Sequence, residues 1–237
     1  MTQDILDSQT YVSSSSLYYL LQELVPTSIR VSHKLLDSSP STSTSTAAST
    51  ASTTTKITST NTSSLFTDKD EPTTLDHQLS SIPKDLPGTV HVLDSSLLNN
   101  DEVTLRIESY GYNLGIKLAE ILLYKSNNNG TKIVDILDIM KFVCRDVWKC
   151  LYNKQMDNLR TNHRGTFVLV DSNYKLISNL NSAKGINDTL SKSKVYLWLP
   201  CGIIRGILSN FGIESNVTAE ITQFPAVTFN IHTSINN

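Results

Sequence analysis

The residues able to do chemistry are few and poorly matched to one another. His163, in "NLRTNHRGT", has Asp171 nearby in sequence. That is a general base with an orienting carboxylate, but such a pair needs an activated nucleophile, and no G-x-S-x-G turn occurs. Both residues fall at predicted strand ends or turns, where a polar strand and a tight turn at Gly165 explain them. Neither a P-loop nor a G-x-G-x-x-G nor an H-E-x-x-H motif is present. The 5 histidines are scattered, never at helical spacing with one another or with a cysteine, so no metal site is expected. Cys144, Cys150 and Cys201 form no C-x-x-C pair, and the first two sit six apart on a predicted helix, pointing in different directions. They read as small buried hydrophobes, with a lipid-bearing cysteine as the sharper alternative. Asp135 and Asp138 could be paired carboxylates, yet placement at a helix start accounts for both. We expect no catalytic residue, no metal and no cofactor, and a protein that is not an enzyme.

Composition narrows the partners. The formal net charge is -2, and no basic run appears, which argues against a nucleic-acid backbone as ligand. The start, "MTQDILDSQT", lacks the basic and apolar regions of a secretory signal, and no apolar run approaches the ~20 residues that cross a bilayer. An intracellular location is the expectation.

What remains is a set of glycines. A helix over about 100–124 carries Gly111 and Gly115, each costing about 1 kcal/mol against alanine. With Ala119 they fall at i, i+4 and i+8, leaving a smooth groove flanked by Ile107, Tyr110, Leu114 and Leu118. Close approach of another backbone would offset the loss once roughly 100 Å² of extra contact is made, at about 25 cal/mol per Å². Gly202 and Gly206 repeat the device in "PCGIIRGILSNFG", where seating a neighbour within the chain is the expected role. The first helix of the pair is also apolar at Leu105, Tyr112, Ile116 and Leu123, so one of its sides is expected to belong to a partner.

The elements that must position these residues follow from periodicity. "SSSSLYYLLQELVP" places a serine cap before Leu17, Leu20, Leu21 and Leu24 on one helical face, and Pro26 is expected to end it. From 37 to 64 the chain is almost wholly Ser, Thr and Ala, too polar to offset its ordering entropy. We therefore divide one domain into a first helix (1–36), a disordered Ser/Thr-rich insertion (37–88) and a main body (89–237). A third helix is expected over about 135–154. "GTFVLVDSNYKLISNL" then alternates, turns at Asp171-Ser172-Asn173 and resumes, a hairpin signal. A fourth helix has Pro200 in its first turn and Gly212 as cap, and two last strands flank "QFP". Helices first and antiparallel strands later give an α+β class, with helices packed on one face of an antiparallel sheet.

The blocks "ESYGYNLGIKLAE", "DIMKFVCRDVWKCLYNKQMDNLRTNHRGTFVLVD", "PCGIIRGILSNFGI" and "SNVTAEITQFPAVTFNI", in this order, resemble the TRAPP (transport protein particle) small-subunit family, nearest its subunit-six branch. The resemblance covers 103–231; the Ser/Thr insertion departs from it. It implies the Bet-type subunit fold and a non-catalytic core subunit that pairs with the central Bet-type subunit and with other TRAPP subunits. A Rab GTPase would be met only through the assembled complex. Location would be cytoplasmic, peripheral at the Golgi and the ER–Golgi interface. Family members dimerise mainly through their first two helices, which implies partner contacts at Leu17, Leu20, Leu21, Leu24, Ile107, Tyr110, Gly111, Leu114, Gly115 and Leu118. The central partner carries an acylated cysteine at the start of its third helix, where this chain has Ile136 and Leu137, so acylation is not carried over. A hydrophobic small-molecule or lipid-binding module of the same fold is the alternative.

Overall fold

The computed structural model describes residues 12–38, 90–128, 133, 135–162 and 165–234. Within them run α1 (Ser14–Ser38), two 3-10 segments (Val90–Asp94 and Ser96–Asn99) and α2 (Asp101–Asn128). Helix α3 (Ile136–Phe142) then passes through a π-helical turn (Val143–Val147) into α4 (Trp148–Tyr152). Strands β1 (Asn158–Thr161) and β2 (Thr166–Asp171) follow, then α5 (Ile186–Val195), α6 (Trp198–Asn210), β3 (Ser215–Gln223) and β4 (Ala226–Thr233).

The four strands form one antiparallel sheet in the order β1-β2-β4-β3. Alternation along each strand sends Phe167, Leu169, Val227, Phe229, Ile231 and Val217 inward, all buried, while Thr218, Glu220 and His232 stay exposed. One face is thus covered and the other wet, as expected for helices packed on one side. Trp148 is the centre of the covered face, with its ring 5.5 Å from Phe229 and 4.9 Å from Tyr152. Edge-on packing of this kind adds about 0.5–1.5 kcal/mol per pair beyond area burial.

Several expectations are corrected. Pro26 does not end α1; it sits inside the helix, buried. Continuing the helix carries Val25 and Ile29 together into the core, both fully buried, and that burial outweighs the lost backbone hydrogen bond. The helix therefore runs past residue 37, where the insertion was expected to begin; the rest of that insertion, 39–88, lies outside the described residues. The hairpin expected beyond Asp171 does not form. Instead, β2 pairs with β1, Asn158 opposite Val170 and Thr161 opposite Phe167.

The cause lies in Asp171, which is fully buried. Its carboxylate accepts from the Trp148 indole at 2.8 Å, from the Asn173 amide at 3.0 Å and from the Lys154 ammonium. Those bonds turn the chain inward, so Tyr174, Leu176 and Ile177 enter the core from a series of turns. Asp135 does take the cap position of α3, but its side chain makes no cap hydrogen bond, while Asp138 pairs with Lys141 at 3.0 Å. Helix α5 is not signalled by apolar periodicity because its buried face is built from Thr189 and Ser193 as well as Val195. The Ser193 hydroxyl is satisfied internally, donating to Thr189 O at 2.7 Å.

Candidate interaction surface

Helices α2 and α6 interlock through their glycines. A Cβ built on Gly111 would lie 2.2 Å from Leu199 O, and one on Gly115 2.3 Å from Ile203 O. In return, a Cβ on Gly202 would meet Glu108 O at 2.1 Å and one on Gly206 would meet Tyr112 O at 2.2 Å. In glycine that position holds a hydrogen, so each helix turns Cα–H groups toward the other's carbonyl oxygens. Such contacts contribute about 0.5–1 kcal/mol each, a sum comparable with the helix-propensity penalties they accompany. At the rim, Arg205 pairs with Glu108 at 3.0 Å and lies over the Tyr112 ring at 5.2 Å, and the Tyr112 hydroxyl meets Ser209 Oγ at 2.8 Å.

The expectation of a partner in the α2 groove is therefore overturned for its centre. The groove of α2 and the groove of α6 fill each other. Gly111 and Gly115 are covered by the chain's own backbone, and Ile107 and Leu21 are buried with them in the core. The remaining predicted residues stand differently. Leu17, Leu24, Leu114 and Leu118 are half-buried at the core's margin, Leu20 is 62% exposed and Tyr110 is 41% exposed.

These six lie on flanks beside the buried stripes. On α2 the i+4 row Tyr110, Leu114 and Leu118 continues to the half-buried Leu122. On α1 the row Leu17, Leu20, Leu24 continues beyond Pro26 to the half-buried Val31 and the exposed Leu35. Reasoning from sequence missed Val31 and Leu35 by ending the helix at the proline; the unbroken spacing past it was the available signal. The two helices are held together where Arg106 of α2 reaches Ser32 Oγ of α1 at 3.3 Å. Burial of Val25, Ile29, Val103 and Ile107 accompanies that contact.

The residues considered for chemistry do not converge. His163 lies outside the described residues, and Asp171 is committed to Trp148 and Lys154. Cys201 is buried and Cys144 half-buried; burial pushes each thiol up to about 12, so both stay protonated and behave as apolar groups. Cys150 departs from the buried reading, being exposed. Among the described residues, no helix is long and apolar enough to cross a membrane.

Over residues 17–234 the sequence matches the family described as transport protein particle (TRAPP) component. The chain belongs to the TRAPP family. Among curated relatives, trafficking protein particle complex subunit 6B of Mus musculus is 41% identical over 144 residues, covering 61% of this chain and 87% of the relative. Subunit 6A of Bos taurus is 38% identical over 127 residues, 54% of this chain and 76% of the relative. Both agree with the subunit-six branch of the TRAPP family. A crystal structure of a trafficking protein particle complex subunit 3 from Naegleria fowleri, covalently bound to palmitic acid, superposes with a TM-score of 0.45 at 17% identity, covering 56% of this chain and 81% of that one.

Proposed function

We propose that this TRAPP-family chain is a non-catalytic core subunit of the transport protein particle, pairing as a heterodimer with the central Bet-type subunit. Through the assembled complex it takes part in vesicle tethering and Rab nucleotide exchange in ER-to-Golgi and Golgi transport, as a cytoplasmic protein peripheral to those membranes. The observation that carries the reading is the pair of accessible apolar rows, Leu17, Leu20 and Leu24 on α1 and Tyr110, Leu114 and Leu118 on α2. Rows of this kind are left when a helix is apolar over a wider arc than its own domain can cover. Burial against a homologous subunit would complete the arc, and obligate interfaces bury upwards of ~2,000 Å² in total.

The test is co-purification of the full chain with the Bet-type subunit. Leu20→Asp combined with Tyr110→Asp places two charges on the interface and should abolish the heterodimer, since central anchors cost about 2 kcal/mol or more each when lost. Circular dichroism of the variant should match the parent. A heterodimer of unchanged affinity would overturn the proposal. The chain alone is expected to leave GDP release from a Rab unaccelerated, and acceleration would refute the non-catalytic assignment.

A further inference from the structure

The two edges of the sheet differ. Strand β1 ends the sheet with 4 residues, whereas β3 ends it with 9. Short edge strands are a common protection against unwanted pairing, and a long one without a cover is a template for another strand. The ladder fixes which groups of β3 are available. Ser234 N donates to Glu214 O, so pairs at even positions of β3 exchange hydrogen bonds with β4, among them Thr218 with Asn230 and Glu220 with Thr228. The backbone N–H and C=O of Val217, Ala219 and Ile221 therefore point away from β4. Among the described residues none of these amides finds a partner.

Beside this edge lies a cleft of about 740 Å³, bounded by β3, the N-terminal turn of α6 and the start of α2. Its apolar wall comprises Leu197 and Trp198, the indole of Trp198 being 40% exposed, together with the inward side chains of β3 such as Ile221. Asp101, Glu220 and Lys194 stand at its mouth, so carboxylates outnumber ammonium groups there.

We infer that the β3 edge is a docking site for an extended segment of another polypeptide of the assembly, added as a fifth strand. The unpaired amides specify the occupant, because a row of donors and acceptors repeating every second residue is satisfied by another extended backbone. The cleft sets its side chains: apolar at every second position, seated on Leu197 and Trp198, with a polar or basic residue beside Glu220. This inference rests on the assembly reading for the source of the strand. It uses a different surface from the rows of α1 and α2, so the heterodimer and the added strand can coexist.

Hydrogen exchange of the full chain, alone and within the purified complex, tests it. Amides of Val217, Ala219 and Ile221 should slow by about tenfold or more on assembly, while those of Asn216, Thr218 and Glu220 are protected in both states. Unchanged exchange at the three odd positions in the complete complex would overturn the inference. Ala219→Pro removes a donor that faces the cleft and leaves the β4 ladder intact, a substitution edge strands tolerate. It should abolish the protection at Val217 and Ile221 and keep the Bet-type heterodimer. A photo-reactive group at position 218 should capture an extended segment of another subunit; capture of residues 39–89 of this chain would refute the assignment to a partner. Loss of edge protection with the heterodimer retained concerns the edge alone, and an absent heterodimer with the edge still protected would count only against the functional reading.

Discussion

The α2–α6 contact and the flanks of α1 and α2 use the same helix for opposite ends. Where α2 meets α6, side chains have been removed so that backbone lies on backbone, with four glycines each facing a carbonyl of the other helix. On the flank beside it, leucines and a tyrosine project and are left partly uncovered. The difference teaches that a small-residue stripe marks the closest packing in the molecule and not the open surface. Close backbone approach needs a rigid, pre-aligned neighbour, and a helix joined through the same core supplies it at no cost in association entropy.

The sharpest way to break the comparison is at the glycines. Gly202→Ala gains up to about 1 kcal/mol in helix propensity, yet its Cβ would meet Glu108 O at 2.1 Å, well inside contact distance. Overfilling should win, with a net loss of about 1–3 kcal/mol or more. Thermal unfolding should show Tm falling by roughly 2–4 °C per kcal/mol for an ordered body of this size. A variant as stable as the parent would mean that the helices can separate freely.

A glycine of the other kind gives a smaller effect. Gly212 has φ +75° and open space where a Cβ would be, and it closes α6 with Gly212 N to Ser209 O at 2.9 Å and Ile213 N to Leu208 O at 2.9 Å. Gly212→Ala should cost about 1–2 kcal/mol through the left-handed backbone alone. Gly212→Asn should cost less, since asparagine tolerates that conformation, whereas at Gly202 asparagine should be worse than alanine. Denaturant titration of the four variants would show the inverted order, and the same order at both sites would remove the distinction between them.

Acidification tests a contact that is neither dry nor open. Lys192 first and then Lys184 hold the Asp94 carboxyl at about 2 in place of 3.8, tying the 3-10 segment before α2 to α5. With the folded value depressed, this stabilisation is complete above 3.8 and is lost as pH falls toward about 2. Asp188, lowered through Lys192 and Ser182, acts in the same direction. Unfolding followed between those two pH values should lose part of its pH dependence in Asp94→Asn.

The smallest effect on stability belongs to the flank. Leu20→Ser and Tyr110→Ser each should shift unfolding by no more than about 0.5 kcal/mol, since both side chains are largely accessible. A loss comparable with that at Gly202 would place them in the core and dissolve the contrast.

Much of the architecture could be read from the chain itself. The 3.6-residue spacing of Val103, Ile107 and Ala119, the turn chemistry at Gly212 and the alternation through "AVTFNIHT" each gave an element its type, because local sterics and burial pattern act within a few residues. The candidate surface was legible only in part. Leu20 and Tyr110 lie on accessible rows as expected, but nothing local to "YGYNLGIKLAE" distinguishes a groove filled by another molecule from one filled by a helix some ninety residues later. The sequence by itself settled that α2 would carry a backbone-deep groove, since only glycine lacks the Cβ that would fill it. That Gly202 and Gly206 fill that groove, that Pro26 lies within a continuous helix and that Asp171 ends β2 were decided by tertiary structure, because each depends on which distant group arrives to satisfy the buried surface or the buried charge.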